Sequence, residues 1–176
     1  DRAEENLRQL LDTPLEGQAL LALLNIYERS RDWSAAHDVA HRLGLQGEAR
    51  LEARQAHYLC EQAAALSDQD SEHKKELLEQ ACRVSPQSAR PRLALAELLE
   101  ARGQTHAALA QRLQLAQDMP RFVPLLAAAL ARLALIEQRA PEVREILERY
   151  ASEAPSLDVM EALVVLDQAL GATDVQ

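Results

Sequence analysis

The segment LALAELLEARGQTHAALAQRLQLAQDMP, from Leu93 to Pro120, contains two helical stretches separated by a glycine and closed by a proline. The first stretch ends at Gly103, because glycine tolerates the positive φ angle that commonly terminates a helix. The second stretch carries Ala107 and Ala108 near its start, where small side chains let two helices approach closely. The segment therefore predicts a helix–turn–helix hairpin.

Residues that mark the ends and the close contacts of helices recur at a regular spacing along the chain. Pro86 and Pro120 are 34 residues apart, and Pro120 and Pro155 are 35 apart. Tyr27 precedes Ala36 by nine residues, as tetratricopeptide (TPR) repeats require. A helical hairpin repeated every 34 residues is the TPR pattern. We therefore predict an all-α TPR solenoid of antiparallel helix pairs with about ten helices, in which Trp33 is partly buried in a turn.

Composition agrees with this fold class. Alanine and leucine occur 32 times each in 176 residues, whereas isoleucine, valine and threonine total 14. Strong helix formers therefore dominate. The formal net charge of −9 argues against nucleic acid and anionic membrane surfaces as partners. The longest apolar run, Leu125 to Ala131, is too short to span a bilayer, so we expect no direct membrane insertion and a soluble fragment.

We predict a single TPR domain over residues 1–176, in a chain that is a fragment of a longer protein. A half repeat covers 1–12, four repeats cover about 15–47, 48–86, 88–120 and 121–155, and a C-terminal helix covers 156–170. The individual helices are predicted over 1–12, 15–30, 33–44, 48–67, 71–84, 88–102, 105–118, 121–138, 141–153 and 156–170.

His57 and Cys60 are three residues apart in the helix over 48–67, and their role depends on the face they occupy. The register that buries Leu59 and Ala63 turns both toward the inner groove formed by the first helix of each pair. A zinc site needs three or four ligands, and no further partner is evident. A Cys–His catalytic pair needs an orienting group and an oxyanion hole, which a helix face does not supply. We therefore expect no enzyme activity, no cofactor and no metal in this chain.

Counting the same positions in the other first helices gives further groove candidates. A solvated helix face is the competing interpretation of each charged residue among them. The groove is expected to bind a protein partner through Leu21, Asn25, Glu28, His57, Cys60, Arg90, Leu93, Glu97 and Glu100.

The helix from Pro124 to Glu137 is apolar on nearly every face, and a helix of this kind is usually buried. Its groove positions are Ala127, Ala131 and Ala134, which would leave an open apolar strip. We expect this strip to be a docking site, covered by a C-terminal module outside this chain or by a second copy in a homo-oligomer. The alternative is that the helix over 156–170 folds back over it.

The segments DRAEENLRQL, LLNIYERSRDWSAAHDVAHRL, QAHYLCEQA and SPQSAR occur in this order and spacing. Together they resemble the cytoplasmic TPR region of the LapB (YciM) family of lipopolysaccharide assembly proteins. The resemblance is firm to about Gly103 and weaker beyond it.

This resemblance implies a non-catalytic scaffold on the cytoplasmic face of the inner membrane of Gram-negative bacteria. Members regulate lipopolysaccharide biosynthesis by promoting degradation of the deacetylase LpxC by the protease FtsH, which are the implied partners. The family also has a membrane helix and a C-terminal zinc knuckle, so zinc is expected only in that knuckle, which this sequence does not contain. The alternative is a TPR adaptor for an unrelated partner in cell-envelope assembly or secretion.

Overall fold

The computed structural model describes residues 2–45, 47 and 51–173. Within these ranges the chain forms ten α-helices, two short 3-10 helices and no strand, which confirms the predicted all-α class. The α-helices are α1 (Arg2–Arg8), α2 (Glu16–Ser30), α3 (Trp33–Leu45), α4 (Glu52–Ala65), α5 (Ser71–Val84), α6 (Ala89–Ala101), α7 (Thr105–Asp118), α8 (Val123–Ile136), α9 (Ala140–Glu153) and α10 (Leu157–Thr173).

The helices group into two compact units. Unit 1 comprises Asp1–Pro91 and unit 2 comprises Arg92–Gln176, so that the boundary falls within α6. The single TPR domain over 1–176, with its proposed repeat boundaries, stays a prediction.

Three helical hairpins have the same type of turn between their two helices. Each first helix ends at a residue with positive φ, and the next residue donates its backbone N–H to the carbonyl five positions back. The donor–acceptor pairs are Asp32–Tyr27 at 2.9 Å, Gln104–Leu99 at 2.9 Å and Arg139–Ala134 at 2.8 Å. This six-to-one hydrogen bond is the Schellman motif, which satisfies carbonyls at the helix end. The hairpin predicted from Gly103 is therefore a repeated unit of the backbone.

Proline ends the helices α5, α7 and α9. The residues before Pro86, Pro120 and Pro155 adopt nearly the same conformation, with φ of −134°, −138° and −143° and ψ of 81°, 73° and 83°. The proline ring disfavours the α conformation in the residue before it, so the helix must stop there. Between Pro86 and Pro155 the proline spacing therefore matches the spacing of the helix ends.

The shared turn predicts opposite effects for two matched substitutions. The αL residue is Gly103 (φ 72°) in one hairpin and Gln138 (φ 56°) in another. A side chain in this conformation is strained, whereas glycine is not. We expect Gln138→Gly to stabilise the protein by up to about 1 kcal/mol in urea unfolding, and Gly103→Ala to destabilise it by about 1 kcal/mol.

A Cβ at Gly103 would meet no atom within 4 Å, so the control substitution Gly103→Ala reports backbone strain alone. Loss of stability in Gln138→Gly would contradict the assigned turn.

Each unit has its own apolar core. The core of unit 1 is built by α2, α3, α4 and the residue before α4, and it comprises Leu20, Leu23, Leu24, Tyr27, Ala36, Ala40, Leu43, Leu51 and Tyr58. Trp33 is partly buried against this core, as predicted. In unit 2, α8 packs against α7, α9 and α10, and its side chains Leu126, Leu130 and Leu133 are fully buried. No helix in the described part of the chain is both long and apolar enough to cross a membrane.

Candidate protein-interaction surfaces

A group of aromatic and charged side chains lies at the surface of unit 1. We call it the His57 cluster, and it comprises Trp33, His57, Tyr58, Glu61 and Arg90. Helix α4 supplies three of these residues, with His57 and Glu61 one helical turn apart. Trp33 is the first residue of α3, and Arg90 lies at the start of α6. The cluster therefore brings together residues from three helices.

The three rings of the cluster support one another. Trp33 stacks on Tyr58 with ring centroids 6.0 Å apart and an angle of 17° between the planes. The rings of His57 and Trp33 form a T-shaped pair with centroids 5.6 Å apart. Tyr58 is buried, and 44% of the His57 side chain is exposed. The buried tyrosine thus holds the tryptophan, and the tryptophan holds the exposed imidazole in place.

Arg90 connects the two exposed polar groups of the cluster. Its guanidinium donates hydrogen bonds to Nδ1 of His57 and to the carboxylate of Glu61. Because arginine only donates, Nδ1 must accept, which places the ring proton of neutral His57 on Nε2. The hydrogen bond from Arg90 lowers the pKa of Glu61 below its ordinary value. The cluster is therefore ordered by a fixed set of donors and acceptors.

A second polar group anchors α4 to α2 beneath the cluster. The carboxylate of Glu28 accepts hydrogen bonds from the Tyr58 hydroxyl and, at 2.7 Å, from Arg54. Burial by itself would raise the pKa of Glu28, but these two hydrogen bonds outweigh it and lower the pKa. Burial, followed by the Glu28 carboxylate, raises the pKa of Tyr58 to about 12. Glu28, predicted as a groove residue, thus acts as an internal acceptor between helices.

The placement of Cys60 on the open groove is wrong. Its exposed fraction is 4%, because both α3 and α5 pack against α4 and cover more of that helix than a single inward stripe. Burial raises the pKa of the Cys60 thiol to about 11. A protonated thiol is a poor nucleophile and a poor metal ligand. His57 therefore faces the surface without the cysteine that was expected beside it.

The other groove candidates differ in their surroundings. Leu21 and Asn25 are exposed on α2 of unit 1. In unit 2, Leu93 is half-buried and Glu97 is exposed, both on α6. Their role in partner binding stays a prediction.

Glu100 belongs to an ion-pair network inside unit 2. Its carboxylate accepts from Arg112 of α7 at 2.9 Å and also pairs with Arg132 of α8. Only 7% of the Arg112 side chain is exposed, and its Nη1 has no hydrogen-bond partner. The hydrogen bond from Arg132 and the charge of Arg112 together lower the pKa of Glu100. The predicted groove residue therefore compensates a buried cation.

The predicted docking strip on α8 is also wrong. Ala127, Ala131 and Ala134 have exposed fractions of 0%, 2% and 0% within this single chain. Helix α8 packs against α10, which occupies the place of the predicted helix over 156–170. The alternative in which that helix folds back is therefore the correct one. No external module or second copy is needed to cover the alanines.

A different face of α8 is open. Together with α10 it forms an apolar groove of about 770 Å³, which we call the α8–α10 groove. Leu125, Leu135, Ile136 and Val165 line it, with exposed fractions of 67%, 36%, 55% and 46%. Of the three predicted alanines, Ala131 lines this groove although it is only 2% exposed. The open side chains lie on the neighbouring face, and an evenly apolar helix gives no periodic signal to choose between faces.

Sequence reasoning also missed a charged partner of His57 and one of Tyr58. Glu61 and Arg54 were not selected, although each lies four residues from an aromatic or imidazole side chain on α4. The spacings His57–Glu61 and Arg54–Tyr58 place each pair on one side of the helix. That signal was present in the sequence, but the contribution of Arg90 depends on the meeting of separate helices.

The described residues form no group of side chains suited to holding a metal ion. Within residues 2–45, 47 and 51–173, no three side chains of His, Cys, Asp or Glu converge as ligands would. His37 and His41 stack on each other with ring centroids 6.4 Å apart, but two imidazoles alone do not complete a zinc site.

Comparison with known proteins tests the resemblance found in the sequence. The chain is 33% identical over 106 residues to lipopolysaccharide assembly protein B of Escherichia coli K12. The resemblance to lipopolysaccharide assembly protein B is confirmed. The Haemophilus influenzae protein of that name is 32% identical over 105 residues. These matches cover 59% of this chain, but 27% and 26% of the respective relatives, so that the chain spans about a quarter of their length.

No family model matches the chain. Among solved structures, a thermophilic TPR protein from Thermus thermophilus is similar, with 20% identity and a TM-score of 0.43. That similarity covers 93% of this chain and 86% of the other.

Proposed function

We propose that this chain is the TPR body of a lipopolysaccharide assembly protein and acts as a non-catalytic scaffold. The observation that carries the proposal is the match to lipopolysaccharide assembly protein B over 106 residues. Repeated helical hairpins support it, because such repeats present extended surfaces to other proteins.

The His57 cluster is the surface that we propose for partner binding in unit 1. Tryptophan, tyrosine and arginine are the residue types that most often dominate binding energy at protein interfaces. Here His57 and Arg90 are exposed. The imidazole of His57 packs against Trp33 and Tyr58, and Arg90 is hydrogen-bonded to His57 and Glu61. Side chains already ordered in the free protein lose less entropy on binding. A preorganised cluster of this kind suits recognition of a protein segment.

The proposed partners are the protease FtsH and its substrate LpxC. A scaffold that binds both raises their effective concentration with respect to each other, without making or breaking a bond. In the full-length protein this would occur at the cytoplasmic face of the inner membrane. Zinc would be held by a separate C-terminal knuckle, and a homo-oligomer would multiply the binding surfaces.

Affinity purification of the full-length protein from its own cells tests this proposal. We expect FtsH and LpxC to be recovered with it, and we expect LpxC to be longer-lived in cells depleted of the protein. Recovery of other envelope-assembly or secretion proteins without FtsH and LpxC would instead support the alternative TPR adaptor. An unchanged LpxC lifetime would contradict the proposed regulation.

A further inference from the structure

The α8–α10 groove has the length of a short helix. It follows α8 from Pro124 to Ile136, which is roughly 18 Å at a rise of 1.5 Å per residue, or about three turns. Both walls are helices, whose side-chain ridges accept the ridges of a third helix lying along them. The exposed apolar side chains Leu125, Ile136 and Val165 would be covered by such a helix. The shape of the groove therefore favours a helical occupant.

The rim of the groove carries uncompensated negative charge. Asp158 and Glu161 lie on the α10 side, both exposed, and neither pairs with a lysine or arginine within residues 51–173. The α8 side carries Arg132, which shares the carboxylate of Glu100 with Arg112, so the two carboxylates on α10 still outnumber the one arginine at the rim. An occupant of the groove would therefore gain from basic side chains facing α10.

The same charge disfavours a second copy of this chain as the occupant. The chain carries a formal net charge of −9, with 28 acidic and 19 basic residues. Two copies would bring further negative charge toward Asp158 and Glu161 rather than neutralise it.

We propose that the α8–α10 groove binds an amphipathic α-helix of another protein. That helix is about three turns long, with an apolar face against α8 and α10 and lysine or arginine along the flank that faces Asp158 and Glu161. The apolar face provides most of the buried area, and the basic flank fixes the orientation and selects the partner. This inference is independent of the lipopolysaccharide assignment, since it depends only on the geometry and charge of unit 2.

Fluorescence anisotropy with two designed peptides tests the proposal on the 176-residue chain. Both peptides have about 14 residues, a fluorescein label and leucines at helical spacing, and they carry either lysines or glutamates along one flank. We expect the lysine peptide to bind at least tenfold more tightly than the glutamate peptide at low salt. The difference should shrink at high salt, because the charges at the rim are exposed.

Variants with matched controls locate the binding. Leu125→Glu should weaken binding of the lysine peptide at least tenfold. Leu157→Glu should leave this binding unchanged, because Leu157 is 74% exposed but lies outside the groove. Asp158→Lys combined with Glu161→Lys should reverse the peptide preference. Both replaced residues are exposed, so helicity by circular dichroism should match wild type in every variant.

Three results would overturn the proposal. In the first, neither the lysine peptide nor the glutamate peptide binds. In the second, both peptides bind equally at low salt. In the third, Leu125→Glu leaves binding of the lysine peptide unchanged. Sedimentation showing a dimer of the chain that Leu125→Glu dissociates would also overturn it, in favour of self-association through this groove.

Discussion

Replacing Glu100 with alanine is expected to lower the free energy of unfolding by about 3 kcal/mol, because the change leaves the buried guanidinium of Arg112 without its counter-charge. One nitrogen of Arg112 already lacks a hydrogen-bond partner, so the remaining contact with Glu100 carries much of the compensation. Urea unfolding followed by circular dichroism measures the loss. The exposed partner is expected to matter far less, and Arg132→Ala should cost below about 1 kcal/mol.

A double variant separates lost charge compensation from lost packing. Replacing Arg112 with methionine removes the buried cation while keeping an apolar side chain of similar length. Glu100→Ala combined with Arg112→Met should therefore recover most of the stability lost in Glu100→Ala alone. If the double variant is less stable than Glu100→Ala, the two residues do not form the unit described above.

The same network predicts a dependence on pH. The folded-state pKa of Glu100 is lowered by the hydrogen bond from Arg132 and by the charge of Arg112. Its ionised form therefore stabilises the fold at pH values above the ordinary carboxyl value of 4.5. That contribution is lost as the pH falls through the lowered folded-state pKa. Between neutral and acidic pH, wild type should consequently lose more stability than the double variant.

Tyr58→Ala is expected to destabilise the protein by about 4 kcal/mol. Its ring is 1% exposed, stacks on Trp33 and fills the core of unit 1. Removing a buried aromatic side chain leaves a cavity that the surrounding core fills only in part. Because Trp33 is the single tryptophan, its fluorescence reports unfolding at this position directly.

Tyr58→Phe is the matched control, since it keeps the ring and removes only the hydroxyl that donates to Glu28. A hydrogen bond to a charged group contributes about 1.5–3 kcal/mol, and Arg54 still binds Glu28 in this variant. We therefore expect a loss of about 1.5 kcal/mol. Equal losses for Tyr58→Ala and Tyr58→Phe would mean that the ring packing described for unit 1 is wrong.

Local chain chemistry made much of the fold predictable. Gly103 and the prolines at 86, 120 and 155 end helices through φ preferences that depend only on neighbouring residues. The helices over 71–84 and 105–118 were accordingly predicted with the bounds that the structure shows. The first helix was predicted to extend to residue 12 but ends at Arg8, where a tighter turn leads to Asp12 with φ of 65°. The start predicted at 48 lies outside the described residues, and α4 begins at Glu52.

Contacts between helices were less predictable. Cys60 was assigned to a surface because one inward stripe was assumed, whereas α3 and α5 both cover α4. The three alanines of α8 gave no indication of their face, since that helix is apolar all round. Nothing in the sequence distinguishes Arg112 from an arginine on an exposed helix face. Its burial depends on Glu100, which lies across the hairpin turn on the preceding helix.

The His57 cluster is the surface that we propose for binding a protein partner. Its most direct test is recovery of LpxC with the full-length protein carrying His57→Ala and Arg90→Ala together. His73→Ala serves as the control, because it removes an exposed histidine from α5, which supplies no residue of the cluster. We predict recovery of LpxC to fall by about tenfold, which corresponds to about 1.4 kcal/mol, with wild-type helicity and melting temperature. Equal recovery of LpxC with wild type, the cluster variant and the control would mean that the His57 cluster does not bind LpxC.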